Sequence, residues 1–422
     1  MLRHTYLVMQ FRMSGIGRIG EVNMAVDGLT VILGENSTGK STILKGLYSL
    51  AEAPIGFEKK KDDEVTETLL DLYRYLIFKP AKSDETSAKF KEALNNTLKE
   101  KHRSEELLQD IKIILGKDIE NDITVSEKVA AAEKILNGES DPELLTLIAK
   151  RNLASEFAEI SQIRCYGSGA TGKLELSSGN KHCSILIDNN DAVLWKCDLN
   201  AVFATAAYYD TPFILDRSFA YDPRRVSEYK HRADLYRAIS PDSGRIIDEL
   251  ISSKSSERFV SVLKKIIDGG FIKERSGLQY TDRNGMSLNT LNLAAGSKVF
   301  AILKLLAENG KLTKDSLILL DEPEIHLHPE WQNVLAELIV LLVKDIGAKV
   351  VMTTHSPQML LAIQAYSAEH KQVVNYYSLE ETEHGMISFT DLHKDLTSVY
   401  RKMADAYDAA YELYSKATEK GE

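Results

Sequence analysis

The chain has 422 residues, 44% of them hydrophobic and 27% charged, with a formal net charge of −10, enough to bury a large core and carry one big domain with insertions. No apolar run reaches the roughly 18 residues that a membrane-spanning helix needs, since the best stretch, Val334 to Val343, is broken by Glu337, and MLRHTYLVMQF lacks the cleavage pattern of a signal peptide, so no membrane contact and a cytoplasmic location are expected. The acidic balance excludes a surface that attracts nucleic acid everywhere, and three cysteines, Cys165, Cys183 and Cys197, with no CxxC pair lead us to expect neither a zinc site nor a disulfide frame.

From Thr5 to Leu33, short β-rich runs, TYLVMQF and LTVIL, are separated by turns holding Gly15, Gly17, Gly20 and Gly28. The last run feeds GENSTGKST, after which Ile43, Leu44, Leu47 and Leu50 recur at helical spacing. The expected first part of the core is therefore residues 1–57. Residues 58–160 turn charged and helical, as in LNNTLKEKHRSEELLQDIKIIL, and are read as an inserted helical subdomain. Residues 161–220 return to strand signals, KLELSSG, HCSILIDNN and AAYYDTPFIL. Residues 221–285 read as a polar helical lid. From 286 to 390, helix and strand alternate as GSKVFAILKLL, SLILLDEP, PEWQNVLAELIVLLVKDI and AKVVMTTHS, which is the rhythm of a parallel sheet. Residues 391–422 close with an amphipathic helix in which Leu396, Val399, Tyr400, Met403, Tyr407, Tyr411 and Tyr414 form one stripe. That stripe suits either packing on its own domain or a partner interface.

The segment GENSTGKST has the GxxxxGK[ST] spacing, in which glycines let backbone amides and a helix N-terminus turn toward phosphate and a lysine adds a mobile positive charge. Gly34, Glu35, Asn36, Ser37, Thr38, Gly39, Lys40, Ser41 and Thr42 make this cradle, Lys40 reaching the β and γ phosphates of ATP and the Ser41 hydroxyl reaching Mg2+. A P-loop needs an acidic strand end nearby. LILLDEPE supplies Asp321 for the metal side and Glu322 as general base. Thr353, Thr354 and His355 end the following strand, and His355 is the candidate sensor of the γ phosphate. In NLAAGSKVF the amides of Ala295, Gly296 and Ser297 start a second helix. They read either as an ordinary helix start or as a second phosphate contact offered in trans to another copy.

These motifs in this order, with the opening strand pattern, resemble the ABC-type ATPase heads of the RecF, SMC and OLD-like superfamily, over the first 50 or so residues and about Leu291 to Tyr377. DEPEIHLHP looks most like standalone bacterial AAA-type ATPases, such as the Septu and PARIS subunits, several of which serve anti-phage defence beside a separate effector. The resemblance implies an α/β fold: a P-loop ABC-type head with a mixed or parallel sheet core, an antiparallel β subdomain and helical insertions. It also implies ATP and Mg2+ as cofactors and a head-to-head homodimer, open to higher oligomers. In that dimer Gly34 to Thr42, Asp321, Glu322 and His355 come from one subunit and Ala294 to Lys298 from the other. Ala294 stands where the family's signature usually has serine, so slow hydrolysis is expected. Gln162 is the nearest candidate for a glutamine loop. Only 67 residues follow His355, too few for the nuclease domain some relatives carry, so a separate effector, a nuclease, is the expected partner. The alternative is a DNA-repair or chromosome-associated clamp, with Arg224, Arg225, Lys230, His231 and Arg232 meeting duplex phosphates. Against it, the same stretch carries Asp222, Glu228 and Asp234.

Overall fold

The computed structural model describes residues 8–77, 89–90, 92–93, 104–116, 118–157, 171–188, 192–197, 202–216, 229–240, 257–274, 277–393 and 395–419. They form two compact units, residues 53–149 and the remainder, 1–52 with 150–422. The chain begins in the larger unit with β1 (Gln10–Ser14), β2 (Val22–Ala25), β3 (Leu29–Gly34) and α1 (Lys40–Glu52). It then enters the smaller unit through α2 (Phe57–Ile77), α3 (Ser104–Leu115), α4 (Ile123–Leu136) and the first half of α5 (Asp141–Phe157). There, Val65, Leu69, Leu72 and Leu76 recur on one face of α2 and are buried against Leu107, Ile111 and Leu115 of α3 and Val125, Val129 and Ala132 of α4. This is a self-contained helical core. Asp122 caps α4 by accepting from Thr124 N at 3.1 Å. The helical unit begins and ends earlier than the expected 58–160, because the second half of α5 carries Asn152 and Glu156, both buried in the larger unit.

Back in the larger unit, β4 (Gly172–Ser178), β5 (Lys181–Ile187) and β6 (Val193–Cys197) extend β1 and β2 into an antiparallel sheet of order β2-β1-β4-β5-β6. The register sets Cys183 opposite Cys197, and the two are joined as a disulfide. The expectation of unpaired cysteines is corrected here: strand register, which spacing does not reveal, brings the two thiols together. Cys165 and Gln162 lie outside the described residues.

The second sheet, of order β14-β13-β3-β12-β11-β7, is built from β7 (Thr205–Tyr209), β11 (Ser316–Asp321), β12 (Lys349–Thr354), β13 (Val374–Glu381) and the antiparallel edge β14 (Ile387–Asp391) around β3. Five of the six strands run parallel. LTVIL, SLILL and VVMTT are buried residue after residue, as strands covered on both faces require. Between β7 and β11 run α6 (Lys230–Ile239), α7 (Glu257–Ile266), the three-stranded sheet β8 (Gly270–Glu274), β9 (Gly277–Thr281) and β10 (Ser287–Asn289), and α8 (Ala295–Glu308). A purely helical lid over 221–285 is thus corrected. After Gly269, LQYT alternates and the Asp282–Gly285 turn closes a hairpin, so period two wins over helical spacing. Beyond β11 come α9 (Pro329–Leu341), α10 (Pro357–Glu369) and α11 (Thr397–Glu419). Val299, Phe300 and Leu303 of α8, Leu335 and Ile339 of α9 and Leu360 and Ile363 of α10 join the main core. Among the described residues no helix is long and apolar enough to cross a membrane.

The stripe on α11 divides. Leu396 and Val399 are buried and Tyr400 donates to Gln364 Oε1, whereas Tyr411 and Tyr414 are exposed; the side chains of Met403 and Tyr407 lie outside the described residues.

Candidate functional site

In a parallel sheet the strand carboxyl ends form the edge at which helices begin, and ligand sites gather there. Register brings Thr354 level with Leu33 and Asp321 level with Thr353. Gly34, Asp321 and Thr354 therefore end neighbouring strands on one edge. Residues 35–39 leave β3 as a tight loop in which Ser37 has φ +66° and Gly39 φ +91°. A side chain at Gly39 would be strained by that φ and would also press within 2.7 Å of Ile19, so this position needs glycine. Thr38 Oγ1 closes the loop on Glu35 O at 2.8 Å. Helix α1 then starts at Lys40, with Ser41 exposed and Thr42 half-buried in its first turn. Its free amides and dipole make this an anion-binding end.

Lys40 is buried, and its ammonium donates to Gly34 O at 2.8 Å and Glu35 O at 2.9 Å while lying 3.1 Å from Glu322 Oε1. The same Oε1 is 3.2 Å from His355 Nδ1. One carboxylate oxygen thus joins the three residues for which catalytic roles were expected. Glu322 reaches them because the chain leaves β11 with φ +46° there, an uncommon backbone for a side-chain-bearing residue that is held by Glu322 N donating to Thr353 Oγ1 at 3.0 Å. His355 is held by the next layer. Thr354 Oγ1 accepts from Ser356 N at 3.0 Å and donates to buried Glu324. Burial pushes the Glu324 carboxyl up, the Thr354 hydroxyl opposing it.

Asp321 points elsewhere. Its Oδ1 accepts from Thr353 Oγ1 at 2.6 Å and its Oδ2 from Tyr208 OH at 3.1 Å. Each oxygen keeps a lone pair, and the hard-oxygen pair of this carboxylate and the Ser41 hydroxyl suits Mg2+, which takes one or two protein ligands and completes its shell with water and phosphate oxygens. Beside the loop lies a cavity of about 510 Å³ lined by Gly34, Asn36, Thr38, His355, Glu381 and, from α11, Val399 and Lys402. Its size falls in the range of small-molecule sites. That α11 forms a wall of it was not legible from the helix's own periodicity.

Ala295, Gly296 and Ser297 form the first turn of α8. Gly296 approaches the loop after β11 so closely that a Cβ would sit 3.1 Å from both His326 O and Leu327 Cδ2. Ala294 is the N-cap, is exposed, and offers no side-chain cap. Lys298, grouped with this helix start on sequence, is buried and paired with Asp216 of its own chain. That part of the expected trans contact is corrected, since an ammonium so placed faces inward.

The basic stretch around α6 is also engaged internally. Lys230 meets Glu52 at 2.9 Å and also Asp234, Arg237 meets Asp234 at 2.7 Å, and Arg232 Nε donates to Asp210 Oδ2 at 2.9 Å. His231, fully buried, sits 2.6 Å from Glu156 Oε2 through Nδ1 and 3.2 Å from Asp210 Oδ2 through Nε2. Burial disfavours its charge, but hydrogen bonds to Asp210 and Glu156 outweigh burial and raise its pKa. Asp210 is likewise opposed by burial, yet its bonds to His231 and Arg232 leave its pKa lowered. Sequence reasoning missed Tyr208, Asp210 and Glu156. For Tyr208 and Asp210 the available signal was the polar end of AAYYD; Glu156 had none. Arg224 and Arg225 lie outside the described residues.

Residues 29–361 match the family model described as "AAA domain, putative AbiEii toxin, Type IV TA system". Two relatives are similar over shorter stretches. The Retron Ec83 probable ATPase of Escherichia coli is 32% identical over 96 residues, 20% of this chain and 17% of its own length. The Old nuclease of Escherichia phage P2 is 29% identical over 118 residues, 27% of this chain and 19% of its own. The matched stretches therefore span less than a fifth of either relative. Among solved structures, that of the SmcHead bound to the C-winged helix domain of ScpA aligns over 92% of this chain and 98% of its own, at 12% identity and a TM-score of 0.45.

Proposed function

The chain belongs to this AAA-domain family of ATPases, related to ATPases of defence systems, and from that membership we propose that it binds and slowly hydrolyses ATP with Mg2+, dimerises on ATP, and acts as a sensor that holds or releases a separate effector, a nuclease, in anti-phage defence. The observation that carries the reading is the Glu322 carboxylate bridging Lys40 and His355 at the mouth of the phosphate loop. Bound γ phosphate is a better partner for Lys40 than a lone carboxylate. Drawing Lys40 to it leaves Glu322 beside His355, free to take a proton from water. The loop amides from Gly34 to Lys40 and the start of α1 orient the phosphates. Mg2+, held by Ser41 and on the Asp321 side, would neutralise developing charge on the β and γ oxygens.

The reading of a dimer rests on the second helix start. Gly296 packs on the loop after β11, and Ala294 at the start of the same helix is exposed. A second copy placing the amides of Ala295, Gly296 and Ser297 over the γ phosphate completes the site. The substitution Ala294→Asp tests it cleanly. Aspartate is among the best N-cap residues and Ala294 already has cap geometry, with φ −55° and ψ +138°, so the variant should be as stable as the parent or about 0.5–1 kcal/mol more so. Its carboxylate would nevertheless repel triphosphate. Size-exclusion chromatography with ATP and Mg2+ should show a dimer for the parent and a monomer for the variant; a variant that still dimerises on ATP would refute the trans contact. Native pull-down with mass spectrometry tests the effector, and a protein that itself cuts DNA or RNA through its own residues would refute the switch.

The clamp reading is weaker. Lys230, His231, Arg232 and Arg237 are already paired with acids of their own chain, and displacing those partners would offset most of the gain from duplex phosphates.

A further inference from the structure

Asp321 is held from both sides by donors of the two strands that flank β11. Thr353 belongs to β12 and stands level with Asp321. Tyr208 belongs to β7, opposite Leu319. The torsion that turns a carboxylate about its Cβ–Cγ bond is intrinsically broad, and one donor on each oxygen removes that freedom. Both donors are neutral hydroxyls, so they orient the carboxylate without cancelling its charge as a lysine or arginine would. Tyr208 is fully buried, and a phenol is protonated at neutral pH, so it stays a donor.

What places the phenol is its ring. It stacks on His231 at a centroid distance of 4.2 Å and 27°, and lies 6.0 Å from the ring of Tyr48 on α1. His231 in turn is fastened by Glu156 of α5 through both its backbone amide, at 2.9 Å, and its Nδ1. The stack is favoured by the positive character that the two acids lend the imidazole.

We propose that Tyr208 is the positioning residue for the metal-side carboxylate: seated between α1 and α6, it fixes the orientation of Asp321 and thereby sets the affinity of the site for Mg2+. The inference rests on the reading of Asp321 as the metal-side acid. It gives α6 an internal role.

The experiment is a Mg2+ titration of the binding of a fluorescent ATP analogue to the full chain, in the parent, Tyr208→Phe, Asp321→Asn and the double variant. Phenylalanine keeps the ring and its stacking, so the thermal midpoint and the binding measured in EDTA should stay at the parent's values. The Mg2+ concentration for half-maximal binding should rise about tenfold, the low end of what losing an outer-shell partner costs. In the Asp321→Asn background the same change should do nothing further, which a merely structural tyrosine would not reproduce. A half-point within twofold of the parent in Tyr208→Phe, or additive effects in the double variant, would overturn the role of Tyr208. If Asp321→Asn itself left the Mg2+ dependence unchanged, the assignment of Asp321 would fall, and the proposal with it.

Discussion

Replacing Glu322 by glutamine is expected to lower ATP turnover by about 10²–10⁴-fold, the usual contribution of a positioned proton acceptor, while leaving nucleotide binding intact and trapping the ATP-bound dimer. The amide retains the shape of the side chain and can still bond to His355, but it cannot take a proton. It also removes the negative partner 3.1 Å from Lys40, so phosphate no longer competes with a carboxylate for the ammonium and binding should be at least as tight as in the parent. Lys40→Ala should have the opposite profile. It deletes the charge that joins Gly34 O, Glu35 O and Glu322, and nucleotide binding itself should be lost. Phosphate release under single-turnover conditions, paired with equilibrium binding, separates the two. Turnover by Glu322→Gln at the parent's rate would remove Glu322 from the role of base.

The second large effect is on stability. His231→Leu should destabilise the larger unit by about 3–5 kcal/mol, because deleting one partner of a buried ion pair strands the other. Glu156 would keep only the amide bond from residue 231, and Asp210 only Arg232. The pH dependence carries its own signature. The folded-state pKa of His231 is raised above its ordinary 6.5, so its contribution is complete below 6.5 and fades as pH climbs through the raised value. That of Asp210 is lowered below its ordinary 3.8, so its contribution is present above 3.8 and fades only as pH falls below it. Stability should therefore decline on the alkaline side of a plateau in the parent, and His231→Leu should lack that decline. Urea unfolding followed by the fluorescence of Trp195 and Trp331 measures both. A loss under about 1 kcal/mol with an unchanged pH profile would contradict the buried pair.

The parts legible in the sequence share one property: their chemistry is local. A P-loop works through backbone amides of consecutive residues between a strand and a helix, so GENSTGKST announces both the cradle and its flanking elements. LILLDEP and VVMTTHS are buried parallel strands ending in polar residues, and their apolar runs with acids or histidine at the exit point to one sheet edge. Lys40, Glu322 and His355 could therefore be placed together before any coordinates.

The tertiary structure decided whatever depends on which distant segments become neighbours. Tyr208 bears on the site only because β7 pairs with β11, and nothing in AAYYD specifies that partner. The charges of α6 read from sequence either as a lid face balanced by Asp222, Glu228 and Asp234 or as a surface for duplex phosphates, whereas burial against Glu52, Glu156 and Asp210 makes them internal counter-ions. Cys183 and Cys197 meet through hairpin register, and α11 lines the cavity beside the residue 35–39 loop through Val399 and Lys402, which its apolar stripe does not foretell. Periodicity and motif spacing encode what one segment must do with its own backbone, and GENSTGKST, DEPE and TTHS needed no more than that. Burial and pairing are properties of the packed whole, and they alone turned Tyr208 and His231 into support for Asp321.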